Sequence, residues 1–124
     1  MLTAVTGINW GDEGKGRVVD LLSEHADYVV RYQGGNNAGH TVVTDKGKFV
    51  LNLLPSGILH PEVVCVLGNG MVIDPDHLRH EIEMMRYMNV KISPENLKIS
   101  EKATVCMPFH VRPDVLEEDR KSVV

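Results

Sequence analysis

Short apolar runs bounded by turn-forming residues recur along the whole chain, and their lengths suit strands. The predicted strands are Leu2–Ile8, Tyr28–Tyr32, Thr41–Thr44, Phe49–Leu54, Val63–Leu67, Leu97–Ser100 and Thr104–Met107. The third and fourth strands flank Asp45-Lys46-Gly47, which predicts a hairpin. The triplet Gly68-Asn69-Gly70 directly follows the fifth strand, so we expect a turn to end that strand there.

Helical periodicity occurs between these strands. The predicted helices cover Lys15–His25, Asp74–Met88 and Arg112–Lys121. The second helix has the clearest start, because Asp74 can cap its N-terminus and Pro75 suits the first helical position. Strands that alternate with helices predict a single domain of the α/β class, with a mainly parallel sheet and flanking helices.

The composition is that of an ordinary globular domain, with 124 residues of which 43% are hydrophobic and 24% are charged. The formal net charge of -4 argues against a nucleic-acid partner, which usually requires a basic surface. No apolar stretch approaches the ~20 residues needed to span a bilayer, and Met1–Ile8 lacks the features of a signal peptide. Cys65 and Cys106 lie in separate apolar runs, which predicts buried free thiols. We therefore expect a cytoplasmic protein with no membrane partner.

The segment Gly11-Asp12-Glu13-Gly14-Lys15-Gly16-Arg17 has the character of a phosphate-binding loop. Its glycines allow backbone N–H groups to approach phosphate oxygens, and it lies between a predicted strand and the N-terminus of a predicted helix. Its spacing differs from that of a Walker A loop, and Gly16 stands where a Ser or Thr hydroxyl would bind Mg²⁺. Asp12 suits either a bound cation or a base for a ring nitrogen, whereas the structural alternative is that Asp12 and Glu13 only cap the helix.

A second polar loop, Gln33–Gly39, follows the predicted strand Tyr28–Tyr32. Its glycines permit close backbone approach to a ligand. Asn36 and Asn37 offer side-chain amides to a base or a phosphate. His40 could donate a proton near neutral pH, although an isolated histidine in a turn is more often a surface residue.

We expect the two loops to share one crevice. Each follows an apolar strand, and the carboxyl ends of parallel strands lie at the sheet edge where α/β proteins bind ligands. One loop would bring Asp12 and Lys15 to this crevice, and the other would bring Asn37 and His40. A base and an acid that act on one ring require the side chains of Asp12 and His40 to lie within about 10 Å of each other.

His77, His80 and Glu81 form a further cluster on the second predicted helix. A metal site is conceivable there, but the local pattern contains no third ligand of the usual spacing. We therefore expect a solvated helix face.

The residues of the two loops resemble the signature loops of the adenylosuccinate synthetases. The similarity covers Trp10–Gly16, Arg31–Thr41, Leu54–Ile58, Gly68–Val72, Lys98–Ser100 and the charged segment Glu117–Lys121. It implies that residues 1–124 are the N-terminal, P-loop-like segment of a larger α/β fold that binds GTP and IMP. It also implies a homodimeric enzyme of AMP biosynthesis that uses Mg²⁺. That enzyme would join IMP and L-aspartate into adenylosuccinate with GTP, through 6-phosphoryl-IMP.

The same resemblance implies roles for individual residues. Asp12 would be the general base at N1 of IMP and a Mg²⁺ ligand, Gly39 would offer its carbonyl oxygen to Mg²⁺, and His40 would be the general acid. The catalytic residues would be Asp12, Lys15 and His40. The GTP-binding residues would be Gly11, Asp12, Glu13, Gly14, Lys15, Gly16, Arg17, Gly39, His40 and Thr41. The IMP-binding residues would be Asp12, Glu13, Gly14, Lys15, Asn37, Ala38, Gly39 and His40.

Two positions depart from the family pattern, since Asn9 stands where Gln is usual and Arg17 where Lys is usual. The family enzymes are much longer, and Ser122-Val123-Val124 follows a charged segment with no capping glycine or further strand. We therefore expect a fragment or a truncated product whose aspartate and guanine sites lie elsewhere. Two alternatives stay open. One is a non-catalytic nucleotide-binding remnant of the same family, and the other is a generic P-loop NTPase, which the absent GKS or GKT ending disfavours.

Overall fold

The computed structural model describes residues 1–6, 15–36, 39–45 and 47–107. Within these ranges the strands are β1 (Tyr28–Gly34), β2 (His40–Thr44), β3 (Gly47–Leu51), β4 (Val64–Ile73), β5 (Leu97–Ile99) and β6 (Thr104–Val105). The helices are α1 (Lys15–Ser23) and α2 (Pro75–Tyr87), with a 3₁₀ turn at Ser56–Leu59. The predicted α/β class is confirmed, with helices beside a mainly parallel sheet.

The larger sheet is built around β4. β1 pairs in parallel with one edge of β4, from Tyr28 opposite Val64 to Gly34 opposite Met71. β5 pairs in parallel with the other edge, and β6 pairs in parallel with the end of β4 at Val72 and Ile73. The predicted hairpin forms as β2 and β3, which make a separate antiparallel sheet. Since parallel strands end at one edge of a sheet, the loop after β1 leaves the sheet at the same edge as the start of α2.

The predicted turn at Gly68-Asn69-Gly70 is wrong, because β4 continues through these residues. The pairing register between β1 and β4 shifts around Tyr32, which marks a bulge. A Cβ atom at residue 68 would lie 3.2 Å from the Cα atom of Tyr32, and one at residue 70 would collide with the carbonyl oxygen of Tyr32. These glycines therefore permit two backbones to approach closely instead of reversing the chain.

The hydrophobic core lies where the sheet, the hairpin and α2 meet. The bulky side chains that are fully buried belong to Phe49, Leu53, Ile58, Cys65, Leu67 and Met71. Leu78 and Met85 of α2 pack in the same cluster. Cys65 is a buried free thiol, as predicted, whereas Cys106 is only partly buried. The core therefore holds β4 and the segment after β3 against α2.

Two further predicted strands differ clearly from the structure, and one predicted helix is not described. Residues 1–6 form no strand, although Leu2–Ile8 is an apolar run whose last two residues lie outside the described ranges. A run becomes a strand only where another strand pairs with it, and none of the described strands pairs with residues 1–6. β3 ends at Leu51 because the next backbone N–H groups bond to a side chain of α2. The predicted helix Arg112–Lys121 lies outside the described residues.

Candidate functional site

His40, the first residue of β2, packs against the first turn of α1. Its imidazole ring lies beside Gly16. A Cβ atom at residue 16 would lie 2.5 Å from Nδ1 and 2.9 Å from Nε2 of this ring, which is closer than real side chains approach. The ring therefore occupies the space that a Ser or Thr side chain would need. This accounts physically for glycine at the position where a Walker A loop carries its hydroxyl.

Asp20 of α1 is the second neighbour of the His40 ring. It follows Gly16 by one helical turn, so both residues lie on the same face of α1. Its Oδ2 atom lies 2.9 Å from Nε2 of His40, and the side chains of His40 and Asp20 are 37% and 24% exposed. Its Oδ1 atom is buried, and no donor reaches it from the described part of the chain. The carboxylate can hold the imidazole in one orientation and keep a proton on Nε2.

Asp20 is not predicted as a site residue from the sequence. The apolar periodicity of Val18, Leu21 and Leu22 predicts a buried helix face made by these residues, with Asp20 between them in the solvent. The available signal is its spacing of four residues from Gly16, which becomes informative only once His40 is known to pack on that turn. The apolar residues also differ from expectation. All three are largely exposed, and Ser23 is the buried residue of α1.

The segment that leads to His40 packs against Asn52, the residue after β3. The side-chain amide of Asn52 donates a long hydrogen bond of 3.5 Å to the carbonyl oxygen of Asn36. A Cβ atom at Gly39 would lie 3.1 Å from the same amide nitrogen. Both described ends of this segment therefore meet one side chain, and the lack of a side chain at Gly39 permits the approach.

The structure describes part of the predicted site. The described residues are Lys15, Gly16, Arg17, Gly39, His40 and Thr41, and those outside the described ranges are Gly11, Asp12, Glu13, Gly14, Asn37 and Ala38. Gly16 contacts His40, so the start of α1 and the start of β2 meet, as a shared crevice requires. The distance between Asp12 and His40 stays a prediction, as does the pair of magnesium ligands, Asp12 and Gly39.

The prediction of a solvated helix face at His77, His80 and Glu81 is wrong for one of these residues. Glu81 is only 5% exposed. Its Oε2 atom lies 3.5 Å from Nε2 of His77, whereas His80 is exposed. Within the described ranges, no three His, Cys, Asp or Glu side chains are grouped so that they could hold a metal ion. Searched over the same residues, no helix has the length and apolar character to cross a membrane.

The chain has relatives over nearly its whole length. The family model described as adenylosuccinate synthetase matches residues 4–123. The adenylosuccinate synthetase of Caldanaerobacter subterraneus subsp. tengcongensis is 52% identical over 120 residues, which are 97% of this chain and 28% of that protein. The enzyme of that name from Carboxydothermus hydrogenoformans is 57% identical over 115 residues, which are 93% of this chain and 26% of that protein. The chain thus spans about a quarter of the length of these curated relatives.

Two solved structures share the fold. The fully ligated adenylosuccinate synthetase of Plasmodium falciparum aligns with a TM-score of 0.79 and 42% identity, over 93% of this chain and 26% of that one. The succinoaminodeoxyadenylate synthetase of cyanophage S-2L, bound to dGMP and dATP as an energy donor, aligns with a TM-score of 0.67 and 29% identity, over 86% of this chain and 30% of that one.

Proposed function

This chain belongs to the adenylosuccinate synthetase family, and we propose that it is the N-terminal GTP- and IMP-binding segment of a ligase that makes adenylosuccinate. The proposal rests on the contact of His40 with Gly16 and Asp20. That contact joins the start of α1 to the loop after β1, so a phosphate bound at the helix N-terminus would lie near an imidazole. The substrates would be GTP, IMP and L-aspartate. The enzyme would act in AMP biosynthesis as a cytoplasmic homodimer.

The reaction would run in two steps. In the first, O6 of IMP attacks the γ-phosphorus of GTP, the bond to the β-phosphate oxygen breaks, GDP leaves and the N1 proton passes to Asp12. In the second, the amine of L-aspartate attacks C6, the C6–O6 bond breaks, phosphate leaves and the amine loses a proton. Charge spreads over the phosphoryl oxygens in the first step, so positioning and electrostatic stabilisation would supply most of the rate.

His40 would act where negative charge develops on the phosphoryl group. Asp20 lies within hydrogen-bond distance of Nε2, so it would keep a protonated ring oriented and balance its charge. The other ring nitrogen, Nδ1, would then donate its proton to the transferring group. Lys15, at the first position of α1, would add a full positive charge to the partial positive charge of the helix N-terminus.

Mg²⁺ would be the metal of this reaction. Its ligands in this chain would be the carboxylate of Asp12 and the carbonyl oxygen of Gly39, which are the hard oxygen donors that Mg²⁺ prefers. Gly39 is exposed and has no side chain to obstruct a ligand, so its carbonyl fits this role. When bound, Mg²⁺ would neutralise charge on the phosphoryl oxygens.

A chimera tests the proposal. Residues 1–124 would replace the matching segment of the Carboxydothermus hydrogenoformans enzyme, which is 57% identical over the aligned part. We expect the chimera to form adenylosuccinate from GTP, IMP, L-aspartate and Mg²⁺, and we expect His40→Ala to lower kcat by at least about 10²-fold. Residues 1–124 alone should show no turnover, because they span about a quarter of such an enzyme. A folded chimera without turnover would identify the chain as a non-catalytic remnant instead.

A further inference from the structure

A buried carboxylate holds the turn that follows β3. Glu81 of α2 accepts hydrogen bonds from the backbone N–H groups of Asn52 at 3.0 Å, Leu53 at 3.0 Å and Leu54 at 2.9 Å. Burial of a carboxylate is unfavourable unless its oxygens are satisfied, and these consecutive N–H groups satisfy them. The arrangement fixes the end of β3 against α2.

Arg31 of β1 holds the same turn through a carbonyl group. Its guanidinium donates to the carbonyl oxygen of Asn52 and, at 3.1 Å, to the carbonyl oxygen of Gly35. Burial lowers the pKa of Arg31, and the negative charge of Glu81 acts in the opposite direction. Asn52 is therefore bound by its N–H to a buried carboxylate and by its carbonyl to a guanidinium that this carboxylate stabilises.

These bonds reach the candidate site by two routes. Asn52 follows Leu51, which pairs with His40 across the hairpin. The side chain of Asn52 also packs against Asn36 and Gly39, in the segment that leads to His40. Both the strand opposite His40 and the segment before it therefore depend on where Asn52 is held.

We propose that Glu81 and Arg31 are positioning residues of the nucleotide site, which set where Gly39 and His40 lie relative to α1. A loop rich in glycine has little conformational restriction of its own, so bonds from outside must define its path. Gly34 uses this freedom, since it adopts a φ of 110°. A Cβ atom there would lie 3.1 Å from the Arg31 guanidinium. The catalytic consequence of this inference rests on the proposed function, whereas the structural consequence does not.

Amide hydrogen exchange on the ligand-free chain of 124 residues tests the structural consequence. Glu81→Gln keeps the size of the side chain but removes its charge and leaves one oxygen for the N–H groups of Asn52–Leu54. We expect these amides and those of His40–Thr44 to exchange at least about 10-fold faster, while those of Val64–Leu67 in β4 are unchanged. Glu83→Gln, the same substitution at an exposed position of α2, should alter none of them.

Arg31→Lys is the second variant, and it tests the same structural consequence if Glu81→Gln does not fold. It keeps the positive charge, but a single ammonium group cannot reproduce the fork that bridges Asn52 and Gly35. We expect the same local acceleration, with Arg79→Lys as the control at an exposed position. Acceleration spread evenly over the sheet, or acceleration that does not reach His40, would overturn the proposal.

Kinetics of the chimera test the catalytic consequence. Displacement of His40 should act on the transition state, so Glu81→Gln should lower kcat at least about 10-fold and change KM less. Glu83→Gln should leave both constants unchanged. An unaltered kcat would overturn the positioning role in catalysis. A parent chimera without turnover would refute the proposed function and leave the exchange result intact.

Discussion

Among single residues, Gly16 is central to the candidate site because it has no side chain. The His40 ring lies where a Cβ atom at residue 16 would be, and Asp20 bonds to the ring there. A helix favours alanine over glycine by about 0.5–1 kcal/mol, so Gly16 weakens α1 by its own propensity. Glycine at residue 16 therefore leaves space for the imidazole of His40 but lowers the stability of α1.

Gly16→Ala should separate stability from activity. The methyl group would displace the imidazole, which can rotate away, so we expect the free energy of unfolding to change by less than about 1 kcal/mol. The bond between His40 and Asp20 should be lost, which the ¹⁵N signals of the imidazole report, and kcat of the chimera should fall at least about 10-fold. Glu24→Ala, at an exposed position just after α1, is the control. Unchanged imidazole signals in Gly16→Ala would contradict the observed packing.

Cys65 should resist alkylation while the protein is folded. Burial raises the pKa of its thiol from an ordinary value of 9.0 to about 12, so almost no thiolate forms at pH 8. The buried neutral thiol therefore contributes stability that is present below pH 9.0 and lost as the pH rises toward about 12. Iodoacetamide labelling and peptide mass spectrometry should show Cys106 modified first. Equal rates at both cysteines in folded protein would mean that Cys65 is not buried in solution.

Among the elements, α2 reaches the candidate site through the turn that follows β3. Its start is set by Asp74, whose carboxylate accepts from the N–H groups of Asp76 at 3.0 Å and His77 at 3.3 Å. Glu81 lies on the same helix and bonds to the turn after β3. The capping carboxylate and the carboxylate that binds the turn therefore lie about two turns apart on one helix.

Asp74→Ala should lower the free energy of unfolding by about 1 kcal/mol, because it removes the acceptor for two backbone N–H groups. Asp74→Asn retains an acceptor and should recover most of the loss. Urea denaturation with an unchanged m-value measures both effects. If the alanine variant unfolded at the same urea concentration as the original chain, the capping bonds would not contribute in solution.

In the molecule as a whole, apolar side chains remain exposed on several surfaces, and two of these belong to α1 and β1. The outer surface of α1 carries Val18, Leu21 and Leu22, and that of β1 carries Tyr28, Val30 and Tyr32. Parallel sheets normally have both faces covered, and contiguous exposed apolar patches mark contact surfaces. The curated relatives are about four times as long as this chain, so their remaining residues are sufficient to cover both surfaces.

The 124-residue polypeptide, produced alone, should therefore self-associate. We expect its mass by light scattering to rise with protein concentration in the micromolar range. Leu21→Lys combined with Tyr28→Lys should restore the mass of a monomer. Gln33→Lys with Thr104→Lys adds the same charge at exposed polar positions and should not. A monomeric mass at every concentration would show that these surfaces do not attract one another.

Several features of the fold and the site follow from local pattern. The start of α2 at Asp74-Pro75, the strand at Tyr28 and the hairpin around residue 45 each depend on residues only a few positions apart, so they can be predicted from the sequence. The two glycine-rich loops and the family can likewise be recognised from short motifs in the sequence. His40 could be named as a site residue for this reason, before its neighbours were known.

The partners of these residues depend instead on how distant segments pack. Asp20 bonds to His40, which lies 20 residues away, and Glu81 bonds to a turn that precedes it by 27 to 29 residues. Gly68 and Gly70 lie within a strand because β1 runs beside them. Residues 1–6 form no strand, because pairing with a neighbour makes a strand and apolar character alone does not. None of these contacts is encoded in spacing along the chain, since each requires two segments to be brought together by folding.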